Sequence, residues 1–563
     1  MISRCCVATT IRECNDRGYE CCLLSDCTDG FDAQMVTTAM DTICAQDGLF
    51  GYVGDSSDFL EQTANYSLKE LALPEGILPP IKHLIQRYRQ GREDPLRIVD
   101  MIYDRIEKNK ERDPAVWIHV QSREDTIAAT KALTTRYENK HDLPPLFGVP
   151  FAVQDSIDVA GIPTTAGCEA YTYTPALNAT TVEALLDAGA IFIGKLNFDQ
   201  LGVDLLGHGS TYGTPRSIHS PEHIAGGSSS GAAIAVGAGL VSFTLARDTA
   251  GGSLVTGGFN GTVTLKPTKG TISNRGVVPI CPSLDSVSIM ARTVEDARVV
   301  WLEIQKCNNT NEPYTKLPAS LPTWHIDARD PSRWKSKFRF AVPPMSLLDA
   351  VCSKDYRELF SETIETLGRC GGTLVQIDYE PFQTASKLLV PGDAEAPNLL
   401  VYEHMSTIGA DFLETNISTL HPRMQNIYKH HISAPSPKPW TIFKAQACLL
   451  ECVQRAQALF NPLNPKGIDI LVVPSAPAHP KTGELEIQTA SEVLETRIGE
   501  FTRAVNALDL CAVGLNAGWV KESSFTDVGL PFGVTFLGGT GYDAKILDLA
   551  RDFVEGRYDS VSE

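Results

Sequence analysis

The chain has 563 residues, of which 43% are hydrophobic and 21% are charged. These proportions are those of an ordinary globular protein, and they exclude a disordered tail, a collagen and a coiled coil. The formal net charge of −19 argues against a basic face for nucleic acid.

The N-terminal region is rich in cysteine, because seven of the 15 cysteines lie within the first 44 residues. No Cys-x2-Cys pair and no histidine accompanies them, which argues against a zinc site. The first residues, Met1-Ile-Ser-Arg-Cys5, are not followed by the apolar segment of a signal peptide. We therefore expect a cytoplasmic chain with reduced thiols and with neither a metal nor another cofactor.

The first 60 residues alternate between helical and strand patterns. Helical spacing over residues 6–17 ends at Gly18, an apolar run of strand length covers residues 19–24, and helical spacing returns over residues 32–45. We predict helix, strand and helix in that order. An α/β unit that begins in this way lacks the strands on which its first helix would pack.

A change of composition separates this unit from the rest of the chain. Residues 61–80 resemble a linker, and helical patterns dominate residues 84–136. From residue 143 onward, short apolar strands alternate with Gly/Ser/Thr-rich turns and helices, which is typical of an α/β protein. We therefore divide the chain into an N-terminal fragment, a linker and an α/β domain, at residues 1–60, 61–80 and 81–556.

No strongly apolar run reaches the length of about 18 residues that a membrane-spanning helix needs. The longest candidate, residues 231–245, is rich in Gly and Ala and is interrupted by Ser242 and Thr244. We predict that this segment is a buried helix and that the chain has no membrane partner.

Two glycine-rich turns carry the chemical information. Gly226-Gly-Ser-Ser-Ser-Gly231 offers hydroxyl groups and opens a helix, and its backbone can be approached closely. Asp248-Thr-Ala-Gly-Gly-Ser253 presents consecutive backbone N–H groups that suit an oxyanion. One such turn alone would also fit a phosphate-binding loop, although no Lys-Ser/Thr pair follows it. The two turns together are more specific.

The pair of turns resembles the amidase signature family, and the flanking Leu146-Phe-Gly-Val-Pro-Phe-Ala-Val153 and Gly194-Lys-Leu-Asn197 match it as well. Within that family the chain is most similar to allophanate hydrolases, through Arg275-Gly-Val-Val-Pro279 and Gly529-Leu-Pro-Phe-Gly-Val534. The resemblance covers roughly residues 65–555. It implies an α/β/α sandwich with a mixed central sheet, and hydrolysis of a C–N bond in a small amide or urea-type substrate by a Ser–Ser–Lys triad.

The resemblance assigns a position to each member of this triad. The serine that relays the proton corresponds to Ser228, and the lysine base corresponds to Gln154. The nucleophile corresponds to Gly252, with Ser253 one residue later. The backbone N–H groups expected to hold the oxyanion are those of Thr249, Ala250, Gly251 and Gly252.

This sequence departs from the family pattern in ways that matter chemically. A glutamine cannot accept a proton at any useful pH, so the base is missing. The arginine expected to hold a substrate carboxylate is Leu254, the following proline position is Thr256, and Arg247 stands where the family usually has threonine. A slipped turn that brings Ser253 beside Ser228 would restore a nucleophile but no base.

Other polar residues have weaker implications. Asp248 corresponds to the structural aspartate beneath the turn, and residues 401–404 correspond to a region that lines the substrate pocket in relatives. Lys195 and Asp199 follow a strand pattern, and we expect them to pack or pair rather than to catalyse.

The N-terminal segment has a resemblance of its own. Cys6-Val-Ala-Thr-Thr10, Asn15-Asp-Arg-Gly-Tyr19, Asp26-Cys-Thr28 and Phe31 are similar to the C-terminal part of an isochorismatase-like cysteine hydrolase. The nucleophile of that family corresponds to Cys6, at a helix N-terminus that would lower a thiol pKa. The catalytic Asp and Lys of the family precede this cysteine, where the chain has five residues. We therefore favour an inert fragment.

Three hypotheses about function remain open at this point. The chain is an amidase-family hydrolase that uses Ser253 or an improvised site with Ser228, or it is a degenerate amidase that binds an amide-like ligand or acts on it by other chemistry. In the third hypothesis it is a structural partner of an active homologue. The expected partner is a small amide or urea-type molecule, and a homodimer is compatible with all three.

Overall fold

The computed structural model describes residues 22–24, 52–54, 78–140, 142–307, 312–316, 321, 337–390, 397–433, 437–486, 488–521 and 529–559. The chain divides into two compact units, Met1–Ile77 with Ile326–Ser336, and Leu78–His325 with Lys337–Glu563. In the first unit, strands β1 (Cys22–Leu24) and β2 (Tyr52–Gly54) pair in parallel. The strand expected at residues 19–24 is thus present in its last three residues. Cys6, the flanking predicted helices and most of the predicted linker lie outside the described residues.

The second unit contains a large mixed sheet, as the sequence predicts. Among the described residues its strands are β3 (Trp117–Val120), β4 (Pro150–Gln154), β5 (Ile191–Leu196), β6 (Phe243–Asp248), β7 (Val263–Lys266), β8 (Ser286–Ala291), β9 (Phe338–Ala341), β10 (Gly372–Leu374), β11 (Ile470–Pro474), β12 (Cys511–Val520) and β13 (Leu530–Gly538). They are ordered β10-β9-β11-β13-β12-β7-β8-β6-β4-β5-β3. β4 is parallel to β5 and β6, and β9 is parallel to β10 and β11, whereas the strands between these groups are antiparallel.

Several helices of this unit begin at a residue whose side chain caps the helix. Asp94 accepts a hydrogen bond from the Leu96 amide at 3.0 Å and is followed by a proline, and Ser122 accepts one from the Asp125 amide at 3.0 Å. The helices of the described part are α1 (Ile81–Arg89), α2 (Pro95–Arg112), α3 (Arg123–Arg136), α4 (Thr180–Asp187), α5 (Ser230–Gly237), α6 (Gly252–Asn260), α7 (Val294–Ile304), α8 (Met345–Val351), α9 (Lys354–Arg369), α10 (Glu380–Lys387), α11 (Leu399–Ile408), α12 (Ala410–Asn416), α13 (Pro422–Ser433), α14 (Pro439–Leu459), α15 (Gln488–Ile498) and α16 (Asp543–Asp559).

Helices cover both faces of the sheet. On one face, a Cβ atom at Gly533 of β13 would lie 2.5 Å from the Cα atom of Gly258 in α6, so the two backbones are in close contact. On the other face, Phe536 of β13 packs edge-to-face against Phe553 of α16, with ring centroids 5.4 Å apart. Residues 533 and 536 point to opposite faces because side chains alternate along a strand. The predicted α/β/α arrangement is confirmed.

The prediction of one buried helix over residues 231–245 is wrong. Helix α5 ends at Gly237, and Gly239 takes a left-handed conformation with φ of +67°. The chain then enters β6 at Phe243, where Phe-Thr-Leu is typical of a buried strand. No helix of the described part is long and apolar enough to cross a membrane.

Candidate active site

The two glycine-rich turns meet at the N-termini of α5 and α6. Ser228 lies just before α5, and its peptide bond with Gly227 is cis. Gly252 is the first residue of α6 and follows Gly251, which caps the helix with φ of +81°. A Cβ atom at Gly252 would lie 2.9 Å from the backbone nitrogen of Ser228. The structure thus brings together the positions that correspond to the nucleophile and the relay serine.

Asp248 organises the second turn from the end of β6. Its Oδ1 accepts a hydrogen bond from the Gly251 amide at 2.8 Å, and its Oδ2 accepts one from the Ser253 amide at 2.9 Å. The hydroxyl of Ser253, which is fully buried, also donates to Oδ2 of Asp248. This turn is therefore not the slipped one, in which Ser253 would lie beside Ser228.

Gln154, at the end of β4, occupies the position expected for the lysine base. Its Oε1 accepts a hydrogen bond from the backbone amide of Arg247 at 2.6 Å and one from the Ser156 hydroxyl at 3.2 Å. Its Nε2 donates to no described residue, and the whole side chain is buried. The amide side chain extends the pairing of β4 with β6 and supplies no proton acceptor with a useful pKa.

The backbone amides expected to hold an oxyanion fall into two groups. The amide of Gly251 donates to Asp248, whereas Thr249, Ala250 and Gly252 line a cavity beside Ser228. Thr249 also donates its hydroxyl hydrogen to Asp285 at 2.5 Å, which fixes the start of the turn. The role of these amides in holding an oxyanion stays a prediction.

The cavity has a volume of about 740 Å³ and opens above Ser228 and Gly252. Its apolar wall comes from loops and from α11 and α13, with Ile280, Leu389, Leu400, Val401 and Ile427. Its polar wall includes His208, Arg247, His404, His421, Arg423 and Arg503. Two of the four residues at 401–404, Val401 and His404, therefore line the cavity, as the resemblance implies for this region.

His404 is a neutral hydrogen-bonding group of the cavity wall. Its Nε2 lies 2.6 Å from the hydroxyl oxygen of Tyr428, and its Nδ1 lies 3.4 Å from the carbonyl oxygen of Ile280. Burial lowers the pKa of His404 to about 3, and the nearby Arg247 guanidinium lowers it further. At neutral pH this ring carries no charge.

Two of the three arginines in the cavity, Arg423 and Arg503, are bonded to residues of α15. Arg423 forms ion pairs with Asp204 and with Oε2 of Glu495, the latter at 2.8 Å. Arg503 donates from its two terminal nitrogens to the carbonyl oxygens of Glu495 and Thr496, at 2.7 and 2.9 Å. Burial lowers the pKa of Arg503 to about 10. Both side chains therefore connect the cavity wall to α15.

Lys195 and Asp199 have structural partners, as expected. Lys195 of β5 forms a fully buried ion pair with Oδ1 of Asp155 at 2.8 Å and donates to the Thr164 hydroxyl at 2.7 Å. The carboxylate of Asp199 accepts hydrogen bonds from the amides of Gly209 and Gly207, at 2.6 and 3.1 Å. Burial raises the pKa of Asp199, and neighbouring Asp204 raises it further.

Sequence reasoning assigned no role to several cavity residues, among them Arg247, His208 and Arg503. Of these residues, only Arg247 could have been noticed in the sequence. It follows the apolar part of a strand pattern, and a charged side chain in a buried strand usually has a specific partner or function. Among the described residues, no cluster of three or more His, Cys, Asp and Glu side chains could hold a metal ion.

The fold and these turns define a member of a known protein family. Residues 97–547 match the family model described as Amidase, so the chain belongs to the amidase family. The urea amidolyase of Lachancea kluyveri is 34% identical over 449 residues, which are 79% of this chain and 23% of that protein. The urea amidolyase of Saccharomyces cerevisiae is 32% identical over 469 residues, 83% of this chain and 24% of that protein.

The chain therefore spans about a quarter of the length of these curated relatives. Among solved structures, Kluyveromyces lactis allophanate hydrolase has a TM-score of 0.72 and 31% identity, over 85% of this chain and 73% of that one. The predicted family and the likeness to allophanate hydrolase are confirmed.

Proposed function

We propose that the chain binds a small amide or urea-type molecule in the cavity at Ser228 and Gly252, and that it does not hydrolyse this molecule through a Ser–Ser–Lys triad. The observation that carries the proposal is the hydrogen bond of the Ser253 hydroxyl to Asp248. Because of this bond, the Ser253 hydroxyl is directed at Asp248 and not at the cavity. Gly252, at the position of the nucleophile, has no side chain that could supply a hydroxyl instead. The ligand class is taken from relatives that are named urea amidolyase and allophanate hydrolase.

The loss of two triad groups has a predictable cost. Removing members of a catalytic triad typically leaves a rate only about 10³- to 10⁴-fold above that in water, which comes from the oxyanion site and from binding. Gln154 cannot take the place of a base, because an amide oxygen does not bind a proton near neutral pH. Of the two steps that an amidase performs, substrate binding and hydrolysis, the cavity therefore supports only binding.

A second candidate is slow hydrolysis with Ser228 as the nucleophile. The observation in its favour is that Ser228 lines the cavity together with Thr249 and Ala250, whose amides suit an oxyanion. Hydroxide from solvent would then have to serve as the base, so the rate would rise with pH.

The test combines binding and turnover on the full chain. Calorimetric titration with malonamide and biuret is expected to give saturable binding, while ammonia release stays at the rate without protein. As a control, Ala250→Phe places a ring in the cavity and is expected to abolish binding. Absence of binding by every amide would overturn the proposal. Ammonia release that is lost in Ser228→Ala would establish the second candidate instead.

The remaining expectations stay predictions. They are the partnership with an active homologue, a homodimer, a cytoplasmic location, and the isochorismatase-like origin of residues 1–60 with Cys6 as the former nucleophile. Each concerns features outside the cavity, and the binding proposal does not depend on them.

A further inference from the structure

Helix α14 carries a row of exposed apolar side chains. Three of the five most exposed large apolar residues in the described part of the chain lie on it. Trp440, Phe443 and Leu450 have exposed fractions of 64%, 69% and 65%, and Ala447 is exposed as well. Successive members of this row are three or four positions apart, so they share one side of the helix. We call Trp440, Phe443, Ala447 and Leu450 the apolar stripe.

The opposite side of α14 packs against the rest of its unit. The buried residues of the helix are Ala445, Cys452 and Ala456, and the helix contacts α10 and α11. At about 100° per residue, Ala445 lies opposite the line between Phe443 and Ala447. A surface helix of this kind ordinarily carries polar residues on its outer side. Packing within the unit therefore does not account for the apolar stripe.

The spacing of the stripe is that of a two-helix coiled coil. Trp440 and Ala447 are seven residues apart, and so are Phe443 and Leu450, which places them at positions a and d of a heptad. An exposed apolar patch of this extent is typical of an interaction site. The partner that such a stripe fits is a second helix with the same pattern.

A second copy of α14 supplies that pattern when it runs antiparallel about a two-fold axis. In one register Trp440 lies opposite Leu450 of the other copy, and Phe443 lies opposite Ala447, so each ring faces a smaller side chain. All four residues of the stripe are then used in both copies. A shift of four residues in one direction places polar Gln454 opposite Trp440 instead.

The charged residues beside the stripe are complementary in the same arrangement. Lys444 and Glu451 are exposed and lie on one flank of the stripe, at the e positions of the heptad. Antiparallel packing brings Lys444 of each copy beside Glu451 of the other, because both side chains lean toward the N-terminus of their own helix. A parallel pair would place Glu451 beside Gln446, with no opposite charge. The charges therefore favour the antiparallel pair.

The area of the stripe is sufficient for a weak dimer. Large side chains of this kind bury about 150–250 Å² each, so the exposed parts of the three large ones amount to roughly 400 Å² per copy. Two copies would bury roughly 800 Å² through them, about half of a standard interface of about 1,600 Å². Ala447 and the flanking side chains add to this area. Such an interface suits a dimer that dissociates in the micromolar range.

We propose that the apolar stripe of α14 binds the same stripe of a second copy of this chain, so that two chains form an antiparallel two-fold dimer. The inference does not depend on the ligand-binding function proposed above, because the stripe shares no residue with the described lining of the cavity.

The first experiment measures the oligomeric state of the full chain. Sedimentation velocity between about 1 and 100 µM is expected to show a concentration-dependent change from monomer to dimer. Leu450→Glu is expected to raise the dissociation constant at least about 100-fold, since two-fold symmetry places two carboxylates in the apolar contact. Leu177→Glu is the matched control, because Leu177 is 68% exposed and lies outside α14. It should keep the dissociation constant of the parent.

The second experiment exchanges the charges. Lys444→Glu places glutamates beside each other in the dimer, and Glu451→Lys places lysines beside each other, so each variant alone is expected to dimerise about tenfold more weakly at low salt. An equimolar mixture of the two variants restores both opposite-charge contacts in a mixed dimer. The mixture is therefore expected to associate about as tightly as the parent.

Three outcomes would overturn the inference. A parent that stays monomeric up to about 100 µM would leave the stripe to another protein or to another segment of this chain. A dimer that Leu450→Glu does not weaken would use a different surface. A mixture of Lys444→Glu and Glu451→Lys that associates no better than either variant alone would contradict the antiparallel pairing. Circular dichroism of each variant verifies that it is folded like the parent.

Discussion

Gln154 and Lys195 lie at the ends of the adjacent parallel strands β4 and β5, where Val153 is paired with Lys195. Lys195 is bonded to Asp155 and Thr164, so its proton is held by two partners. Burial lowers the pKa of Lys195, and the charge of Asp155 opposes that shift. The lysine therefore serves the fold, and it does not replace the base that is missing at residue 154.

The buried ion pair gives the first prediction. Lys195→Met leaves the Asp155 carboxylate buried without its counter-ion and is expected to lower the free energy of unfolding by about 3–5 kcal/mol. Lys110→Met removes an exposed pair with Glu107 and is expected to change it by less than about 1 kcal/mol. Urea unfolding of both variants measures the difference. Equal effects would contradict a structural role for Lys195.

His479 gives a prediction about pH. Its ring stacks on Phe259 with centroids 4.0 Å apart, and its Nε2 donates to the carbonyl oxygen of Ile224 at 2.8 Å. Burial lowers the pKa of His479 to about 3. The unfolded chain takes up this proton near pH 6.5. The stability that comes from a neutral His479 is therefore present above about pH 6.5 and is lost as the pH falls toward 3.

Between pH 7.5 and 5.5 the parent should lose about 1 kcal/mol more unfolding free energy than His479→Gln. Urea unfolding at the two pH values measures this difference, and a general destabilisation by the substitution cancels from it. His83→Gln, on the exposed side of α1, is the control and should retain the full pH dependence of the parent. The same pH dependence in parent and His479→Gln would contradict the assignment.

The turn between β6 and α6 depends on a glycine, Gly251, at a position where a side chain is strained and crowded. Gly251 has φ of +81°, and a Cβ atom there would lie 2.6 Å from the Cβ atom of Thr502. Both the backbone conformation and the close packing exclude a side chain. The position of the neighbouring amides at the cavity follows from this turn.

Gly251→Ala is accordingly expected to lower the free energy of unfolding by more than about 2 kcal/mol, from strain and overpacking together. Gly161→Ala is the matched control, because Gly161 has φ of +77° but no atom within 4 Å of the added Cβ. It should show only the conformational cost of about 1 kcal/mol. Thermal or urea unfolding distinguishes them, and equal losses would contradict the close contact with Thr502.

Much of the fold could be predicted from local patterns. The helical patterns over residues 84–136 correspond to α1, α2 and α3, and the short apolar strands expected from residue 143 onward begin with β4. The prediction of a single helix over residues 231–245 was wrong because a run of small apolar residues is equally compatible with a helix and with a buried strand. The left-handed turn at Gly239 divides this segment into a helix and a strand, and the hydrophobic pattern does not reveal that turn.

The site could be predicted only in part. Ser228 and Gly252 belong to continuous motifs, so their positions could be recognised from neighbouring residues. The cavity wall is assembled over long sequence separations, as in the contact of His404 with Ile280, which is 124 residues away. Whether a buried arginine has a partner depends on such contacts, and the sequence alone does not contain them.

At the scale of the whole molecule, every described residue that lines the cavity belongs to the unit formed by Leu78–His325 and Lys337–Glu563. Its first boundary lies near residue 81, where the predicted amidase domain begins. The cavity, the glycine-rich turns and the large sheet are thus parts of one compact unit.

This arrangement predicts that the N-terminal segment is dispensable for ligand binding. A shortened chain that begins at Leu78 is expected to bind malonamide with an affinity within about twofold of the full chain, because no described cavity residue is removed. Calorimetric titration of both chains provides the comparison. A large loss of affinity in a shortened chain that still unfolds cooperatively would show that residues 1–77 contribute to the site.

Restoring the two absent triad groups shows whether this chain retains the scaffold of an amidase around them. Ammonia release from malonamide is measured for the parent, for Gly252→Ser alone and for Gln154→Lys with Gly252→Ser. The double variant is expected to exceed the parent by at least about 100-fold, and Gly252→Ser alone is expected to stay near the parent because it gains a nucleophile without a base. A parent that releases ammonia as fast as the double variant would show that Gln154 and Gly252 do not impair hydrolysis.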